Sequence, residues 1–381
     1  MTSRERILTA INHHEPDRVP IDVGGGSCST LVVEAYDNLK RFLGVSGETR
    51  VLSKLSRTAR LDASVLERLG SDCIPVTIKA PSNWTPRSAE AGTYIDIWGV
   101  PWKKVGYGNG CFYWEVSSNP LAEATLSDLE RYPWPDPNDP GFTEGLAEEA
   151  KSLYENTRYA LIADVGFKSF WELGLRLRGF EQLLMDLALS PGFVSALMAR
   201  VLEINIAVAG HFLDAVGSYI QVFRTGDDLA TQNGLLCSLE TFRAILKPVY
   251  KEYFDFVRSK TNAKIFFHSC GNVMDLIDDL VDTGVEILNP VQVSAMNDTA
   301  ALKTRHGDKI VFWGAIDTQH VLPHGSTEDV EAEVRRRIHD LGPGGGFVLA
   351  PVHNLQVDVP PQNILAMTDA ARKYGTYPLH V

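Results

Sequence analysis

Two hydrophobic periods alternate along this chain. Short apolar runs of strand length, each ending in a polar residue, are separated by longer segments in which apolar residues recur every three or four positions, the helical spacing. The short runs fall at residues 18–23, 73–77, 159–164, 219–223, 264–270, 286–292, 309–317 and 346–353. Helical spacing fills residues 32–43, 170–189, 191–216, 239–261 and 327–341. Thr327 followed by Glu328 and Asp329 predicts a helix start with a hydroxyl cap and first-turn acids. Strands alternating with helices imply a parallel sheet. Eight such units favour a single α/β domain over residues 1–381, a closed (β/α)8 TIM barrel, over an open doubly wound sheet. Neither GxGxxG nor GxxxxGK[ST] opens a helix after the first run, which removes the usual nucleotide signatures.

Two additions interrupt the repeat. Residues 1–17 form an N-terminal extension, with a short helix that Thr2 and Glu5 would close as a capping box. Residues from about 78 to 139 form a long insertion after the second strand, rich in Pro, Trp and Gly. A stretch of that length is expected to overhang the active face as a lid. Its Trp98, Trp102, Tyr107, Tyr113 and Trp114 would either wall an apolar pocket or form the insertion's own core, and the second is favoured.

Composition narrows the partners. The chain has 381 residues, 44% of them hydrophobic, enough for a large core. The formal net charge of −12 and the lack of a basic stripe argue against a nucleic-acid partner. No apolar run approaches the roughly 18 residues that would span a bilayer, and the start shows no secretory apolar segment. Five cysteines with no paired spacing argue against a disulfide framework, so a cytoplasmic location is expected. The sequence leaves open whether the chain is a monomer or a homodimer.

A barrel gathers its strand ends on one face, and chemistry is built there. The polar endings are Asp22, Thr77, Asp164, Asp227 with Asp228, His268 with Cys270, Gln292, Asp317 and His353. His268 and Cys270 stand two apart at a strand end, so their side chains share a face. Imidazole and thiolate are good zinc ligands; the plainer alternative is a capped strand with an inert buried thiol. His353, also at a strand end, supplies a third candidate ligand and leaves the fourth position open, as a catalytic zinc site requires. Cys237 is the alternative third ligand, although its helical surroundings favour the core. Asp227 and Asp228 are candidate catalytic carboxylates that would ligate metal, hold a ligand histidine or carry a proton; a simple turn cap is the competing reading. Asp22, Asp164, Gln232, Gln292 and Asp317 are candidate substrate-binding residues. Gly24-Gly25-Gly26 follows the first strand and reads as a flexible turn, with close approach to a ligand as the alternative.

Several of these segments together resemble the uroporphyrinogen decarboxylase superfamily. They are Phe267-His268-Ser269-Cys270-Gly271-Asn272, Asn289-Pro290-Val291-Gln292, Phe312-Trp313-Gly314-Ala315-Ile316-Asp317-Thr318-Gln319 and Gly342-Pro343-Gly344-Gly345-Gly346-Phe347, with Glu15-Pro16-Asp17-Arg18-Val19-Pro20 and Trp98-Gly99-Val100. The resemblance implies a (β/α)8 barrel and one of two chemistries. Its decarboxylases grip a tetrapyrrole through a segment of the form RQAGR; here the corresponding Ile21-Asp22-Val23-Gly24-Gly25-Gly26 has no arginine. Its other branch transfers methyl groups to or from a corrinoid protein, with zinc held by a His-x-Cys pair and a later Cys. This sequence matches the pair at His268 and Cys270 and offers His353 for the third ligand, a change that tilts towards ether activation. The implied activity is a zinc-dependent methyltransferase. It would move a methyl group between a small methylated substrate, such as a methoxy aromatic, and a corrinoid (cobalamin) carried by a partner protein. A uroporphyrinogen-type decarboxylase and a non-enzymatic corrinoid- or tetrapyrrole-binding protein are the alternatives.

Overall fold

Seven of the eight apolar runs pair in chain order as one parallel sheet: Cys73–Thr77, Ala160–Asp164, Val222–Gly226, Lys264–His268, Ile287–Asn289, Val311–Ile316 and Phe347–Pro351. The computed structural model describes residues 1–85, 91–108, 111–166 and 169–380; residues 86–90 and 109–110 of the expected insertion lie outside them.

The run at 18–23 closes the ring without becoming a regular strand. Ile21 bridges Leu349 in parallel register, Asp22 N donates to Leu349 O at 2.9 Å, and Asp72 N donates to Ile21 O at 2.7 Å. Two features break the ladder there. Pro20 has no N–H to give, and Ile21 N donates instead to the Asp72 carboxylate at 2.9 Å. Arg6 and Arg18 hold that carboxylate at 2.6 and 2.9 Å. The (β/α)8 barrel is therefore joined at its first position partly through side chains.

Alternation along the strands turns every second residue towards the barrel axis. Cys73, Ile162, Val222, Phe266, Ile287 and Trp313 are among the residues of that apolar filling, and Ile7 and Ile11 of helix Ser3–Ile11 pack into it. Two residues further towards the C-terminal ends, the same faces carry Asp164, Arg224, His268 and Asn289. An apolar plug thus supports a polar layer at the mouth.

The helices depart from expectation where the backbone demands it. Residues 170–189 form two helices, Trp171–Arg178 and Phe180–Leu189, broken at Gly179 with φ +97°. The segment at 239–261 carries a wide turn over Phe242–Leu246, just ahead of Pro248, which lacks the N–H that a regular helix would use. The cap of helix Thr327–Leu341 is Ser326, not Thr327: Ser326 Oγ accepts from Asp329 N, and Asp329 reaches back to Ser326 N. The Thr2–Glu5 capping box forms as expected. Helix Pro191–Val216 is, against expectation, long and apolar enough to cross a membrane by length and composition, yet 56% of its most apolar window is buried in the fold.

After the second strand the chain forms a three-stranded antiparallel sheet, Thr93–Ile95, Pro101–Gly108 and Cys111–Val116. Its aromatic residues divide between two tasks. Trp98 packs edge-on against Trp134, whereas Trp102, Tyr107, Tyr113 and Trp114 face a cavity of about 590 Å³ that reaches His353 and Asn354.

Candidate functional site

His268 ends its strand in register with Asn289 on the next. The Asn289 side-chain oxygen faces His268 Nδ1, and Asn289 Nδ2 donates to Trp313 O at 2.9 Å, which fixes the amide's orientation. An amide oxygen only accepts, so Nδ1 carries a hydrogen and Nε2 is the nitrogen turned to the site, the one whose lone pair a metal would take in place of a proton. His353 repeats the device: its Nδ1 lies 2.6 Å from Asn354 Oδ1, an oxygen that also accepts from Gln356 Nε2 at 2.7 Å. The two imidazole centroids are 5.6 Å apart.

Past His268 the chain turns sharply, and each residue of the turn is held. Leu229 N donates to Ser269 Oγ at 3.0 Å, Cys270 N to Asp228 Oδ1 at 2.8 Å, and Gly271 N to Gln292 Oε1 at 2.7 Å. Gly271 adopts φ +90°, and a β-carbon there would lie 2.6 Å from Thr231 O, so only glycine permits the turn. Cys270 Sγ comes 3.4 Å from His268 Nε2, and Asp228 Oδ1 comes 4.0 Å from the same nitrogen. Ligand atoms of Asp228, His268 and Cys270 all lie within 4.8 Å of one another. So do those of Cys28, His268 and His353.

Arg224, buried in the polar layer, organises the opposite side. Its Nη1 contacts Asp164 and donates to Ser27 Oγ at 2.9 Å, and its Nη2 contacts Cys28 Sγ. Burial alone would raise the Cys28 thiol, but Arg224, His268 and His353 outweigh it and bring it down to about 5. Burial would depress the His268 imidazolium, yet the Cys28 and Cys270 sulfurs leave it well above its ordinary value. Cys270 is raised, mainly by burial. The cluster is electrostatically coupled, with sulfur and imidazole exchanging charge preference.

Of the residues expected from sequence, Asp228 and Cys270 gather with His268 in one triad and His353 joins His268 in the other, Gln292 braces the turn beside Cys270, and Asp164 pairs with Arg224. Others go elsewhere. Asp227 is fully buried and accepts from Phe170 N, Trp171 N, Glu172 N and Tyr250 Oη at 2.7 to 3.1 Å. Burial and the nearby Glu172 push its carboxyl up, but both oxygens are taken by these donors, so it caps a helix start and belongs to neither ligand group. Asp22 lies under the mouth, accepting from Trp313 Nε1 at 2.9 Å and Gly25 N at 2.8 Å. Asp317 caps its own turn through Gln319 N and His320 N. Gln232 is exposed at the tip of the hairpin joining Ala230–Thr231 to Gly234–Leu235. Cys237 belongs to neither ligand group among the described residues. Sequence reasoning passed over Cys28, Arg224, Asn289 and Asn354. The signal for Arg224 was there, a lone cation inside the apolar run Val222-Phe223-Arg224.

Beside the aromatic cavity lies a second one of about 350 Å³, lined by Ser27, Asp164, Ser169, Glu172 and Arg224; both share Leu55, Ser56 and Arg176.

Comparison with known proteins agrees with this layout. The uroporphyrinogen decarboxylase (URO-D) family matches residues 115–374. A uroporphyrinogen decarboxylase from Pseudoalteromonas atlantica is 23% identical over 293 residues, 74% of this chain and 78% of that protein. The methylcobamide:CoM methyltransferase MtaA of Methanosarcina barkeri is 28% identical over 172 residues, 45% of this chain and 46% of its own length. Among solved structures, a methyltransferase from Methanosarcina mazei superposes with a TM-score of 0.66 at 18% identity, covering 98% of this chain and 99% of that one, a likeness of fold. By the span of that match, with the barrel and motifs that accompany it, this chain belongs to the uroporphyrinogen decarboxylase (URO-D) family.

Proposed function

We propose that this chain is a zinc-dependent methyltransferase, moving a methyl group between a small methylated compound and the corrinoid of a partner protein. The observation that carries the reading is Cys270 Sγ at 3.4 Å from His268 Nε2, at a barrel mouth with His353 and Asp228 alongside. The donor set fits zinc: two imidazoles whose Nδ1 atoms are tied to amide oxygens, a thiol and a carboxylate. Zinc bound there supplies Lewis acidity at the heteroatom that bears the methyl group.

The chain's own residues provide the rest. Asn289 and Asn354 keep the imidazole lone pairs turned towards the site. Asp228, 43% exposed at its side chain, stands where it can hold a ligand or take up a proton. The walls formed by Trp102, Tyr107, Tyr113 and Trp114 suit a flat substrate such as a methoxy arene. Similarity to MtaA supports a corrinoid as the other methyl carrier.

Decarboxylation of a tetrapyrrole, the family's other chemistry, has the similarity to the Pseudoalteromonas enzyme in its favour. A substrate with many carboxylates needs cations not already engaged. Among the described residues, the arginines lining the two cavities are matched: Arg224 with Asp164, Arg176 with Glu172 and Arg57 with Glu34. Methyl transfer is the better fit. His268→Ala and Cys270→Ala should each lose bound zinc and methyl transfer together. Trace zinc with CO2 release from a porphyrinogen would favour the decarboxylase.

A further inference from the structure

Cys28 stands outside the ligand set used so far, yet the fold delivers it to His268, a member of that set. It is 8% exposed, in a loop that drops into the barrel mouth after Val23. The descent depends on Gly25: a β-carbon there would lie 2.6 Å from Cys73 Cβ and 2.8 Å from Ile162 Cδ1. Those are two of the residues that fill the barrel. Asp22 pins the loop from below by accepting from Gly25 N.

An ordinary buried cysteine packs among carbon atoms. Cys73 is one, set in the apolar filling. The surroundings of Cys28 are the reverse: a guanidinium on one side and two imidazoles on the other. Arg224 is itself fixed by Asp164 and Ser27, and its buried Nε has no partner. It therefore orients the sulfur from behind. His268 and His353 close the triad in front, each with Nδ1 tied to an amide oxygen and Nε2 left available. His268 belongs to both this triad and the one containing Cys270, so one ion on that ring is within reach of either sulfur.

Resting on the proposed metal site, and adding to it, we propose that Cys28 is a ligand of the same ion as His268 and Cys270. The ion is then held by two thiolates from opposite sides of the mouth, and Arg224 is the positioning residue of one of them. Loading displaces to solvent the protons that the two sulfurs and the His268 imidazole share. The consequence is a more electron-rich metal than a single thiolate would give, tuned by a guanidinium hydrogen bond to sulfur.

Cobalt(II) substitution tests this without any activity assay, because thiolate-to-cobalt charge-transfer absorption scales with the number of bound sulfurs. The protein should show the intensity of two thiolates. Cys28→Ser and Cys270→Ser should each lose one thiolate's share, and Cys237→Ser should lose none. Arg224→Lys should shift the band in energy while preserving its intensity. X-ray absorption of the unmutated zinc protein needs no variant to fold, and should count two sulfurs at about 2.3 Å. One sulfur, with an unchanged Cys28→Ser spectrum, would overturn the role of Cys28 and leave the metal site standing. Failure of the unmutated protein to bind stoichiometric metal would overturn both.

Discussion

The side-chain oxygen of Asn289 faces His268 Nδ1, and this contact decides which nitrogen of the ring is offered to the site. Nε2, the nitrogen beside Cys270, is the one left for a metal. Outer contacts of this kind govern ligand strength. Asn289→Ala should weaken zinc binding about 10- to 100-fold while the chain stays folded. Competition against a chromophoric chelator measures it. An unchanged affinity would mean that the amide does not orient the ring.

Asp227 and Asp228 are adjacent in sequence and should separate cleanly on mutation. Asp227→Ala strips one hydroxyl and three backbone donors of their acceptor in the buried core. At about 1–3 kcal/mol for each buried group left unpaired, urea unfolding should show a loss of several kcal/mol. Asp228→Ala removes a partly exposed carboxylate with one backbone contact. Its unfolding midpoint should move little, while zinc affinity falls. The opposite pattern would reverse the assignments made from the geometry.

Burial pushes the Asp22 carboxyl from 3.8 to about 6, so the folded chain holds a proton there that the unfolded chain has released. A raised pKa gives stability that is fully present below about pH 4 and is lost as the pH climbs to about 6. The loss, taken from the size of that shift, is about 3 kcal/mol. Asp22→Asn cannot titrate. Unfolding free energies of the two proteins between pH 4 and 8 should therefore diverge in the variant's favour up to about pH 6 and run parallel above it. Parallel curves throughout would show that Asp22 stays ionised.

In the aromatic wall, Tyr113 stacks on Tyr107 with centroids 6.0 Å apart and remains 45% exposed. Tyr113→Ala should weaken binding of a methoxyarene by about 0.5–1.5 kcal/mol, the range for an aromatic contact, with zinc content unchanged. Calorimetric titration checks both. Equal affinity in the two proteins would move the substrate away from this wall.

The barrel was legible because its strands are nearly continuous apolar runs, and the polar residue ending each run marked the mouth. What was hidden depended on side chains crossing between strands. The run read at 219–223 lies at Val222–Gly226. Gln221, before it, accepts from Leu161 N through its side-chain oxygen and donates its backbone N–H to Leu161 O. That shift placed Arg224 inside the strand, where it reaches Asp164 and Cys28. Residues 18–23 looked like an ordinary strand because nothing local reveals that Asp72, some fifty positions later, would take Ile21's hydrogen bond. Cys28 was unreadable for a similar reason. A triple glycine signals a turn, and only Gly25's contacts with Cys73 and Ile162 show that the turn dives into the barrel.

A metal held at His268 and Cys270 is proposed to enable methyl transfer to or from a corrinoid. The most direct measurement mixes protein, reduced corrinoid and a methoxyarene, and follows the conversion of Co(I) to methyl-Co(III) by absorbance, using metal-free protein and the same sample reloaded with zinc. The metal-free sample should show no conversion, and conversion should return in proportion to zinc added. Equal conversion in both samples would contradict the proposal.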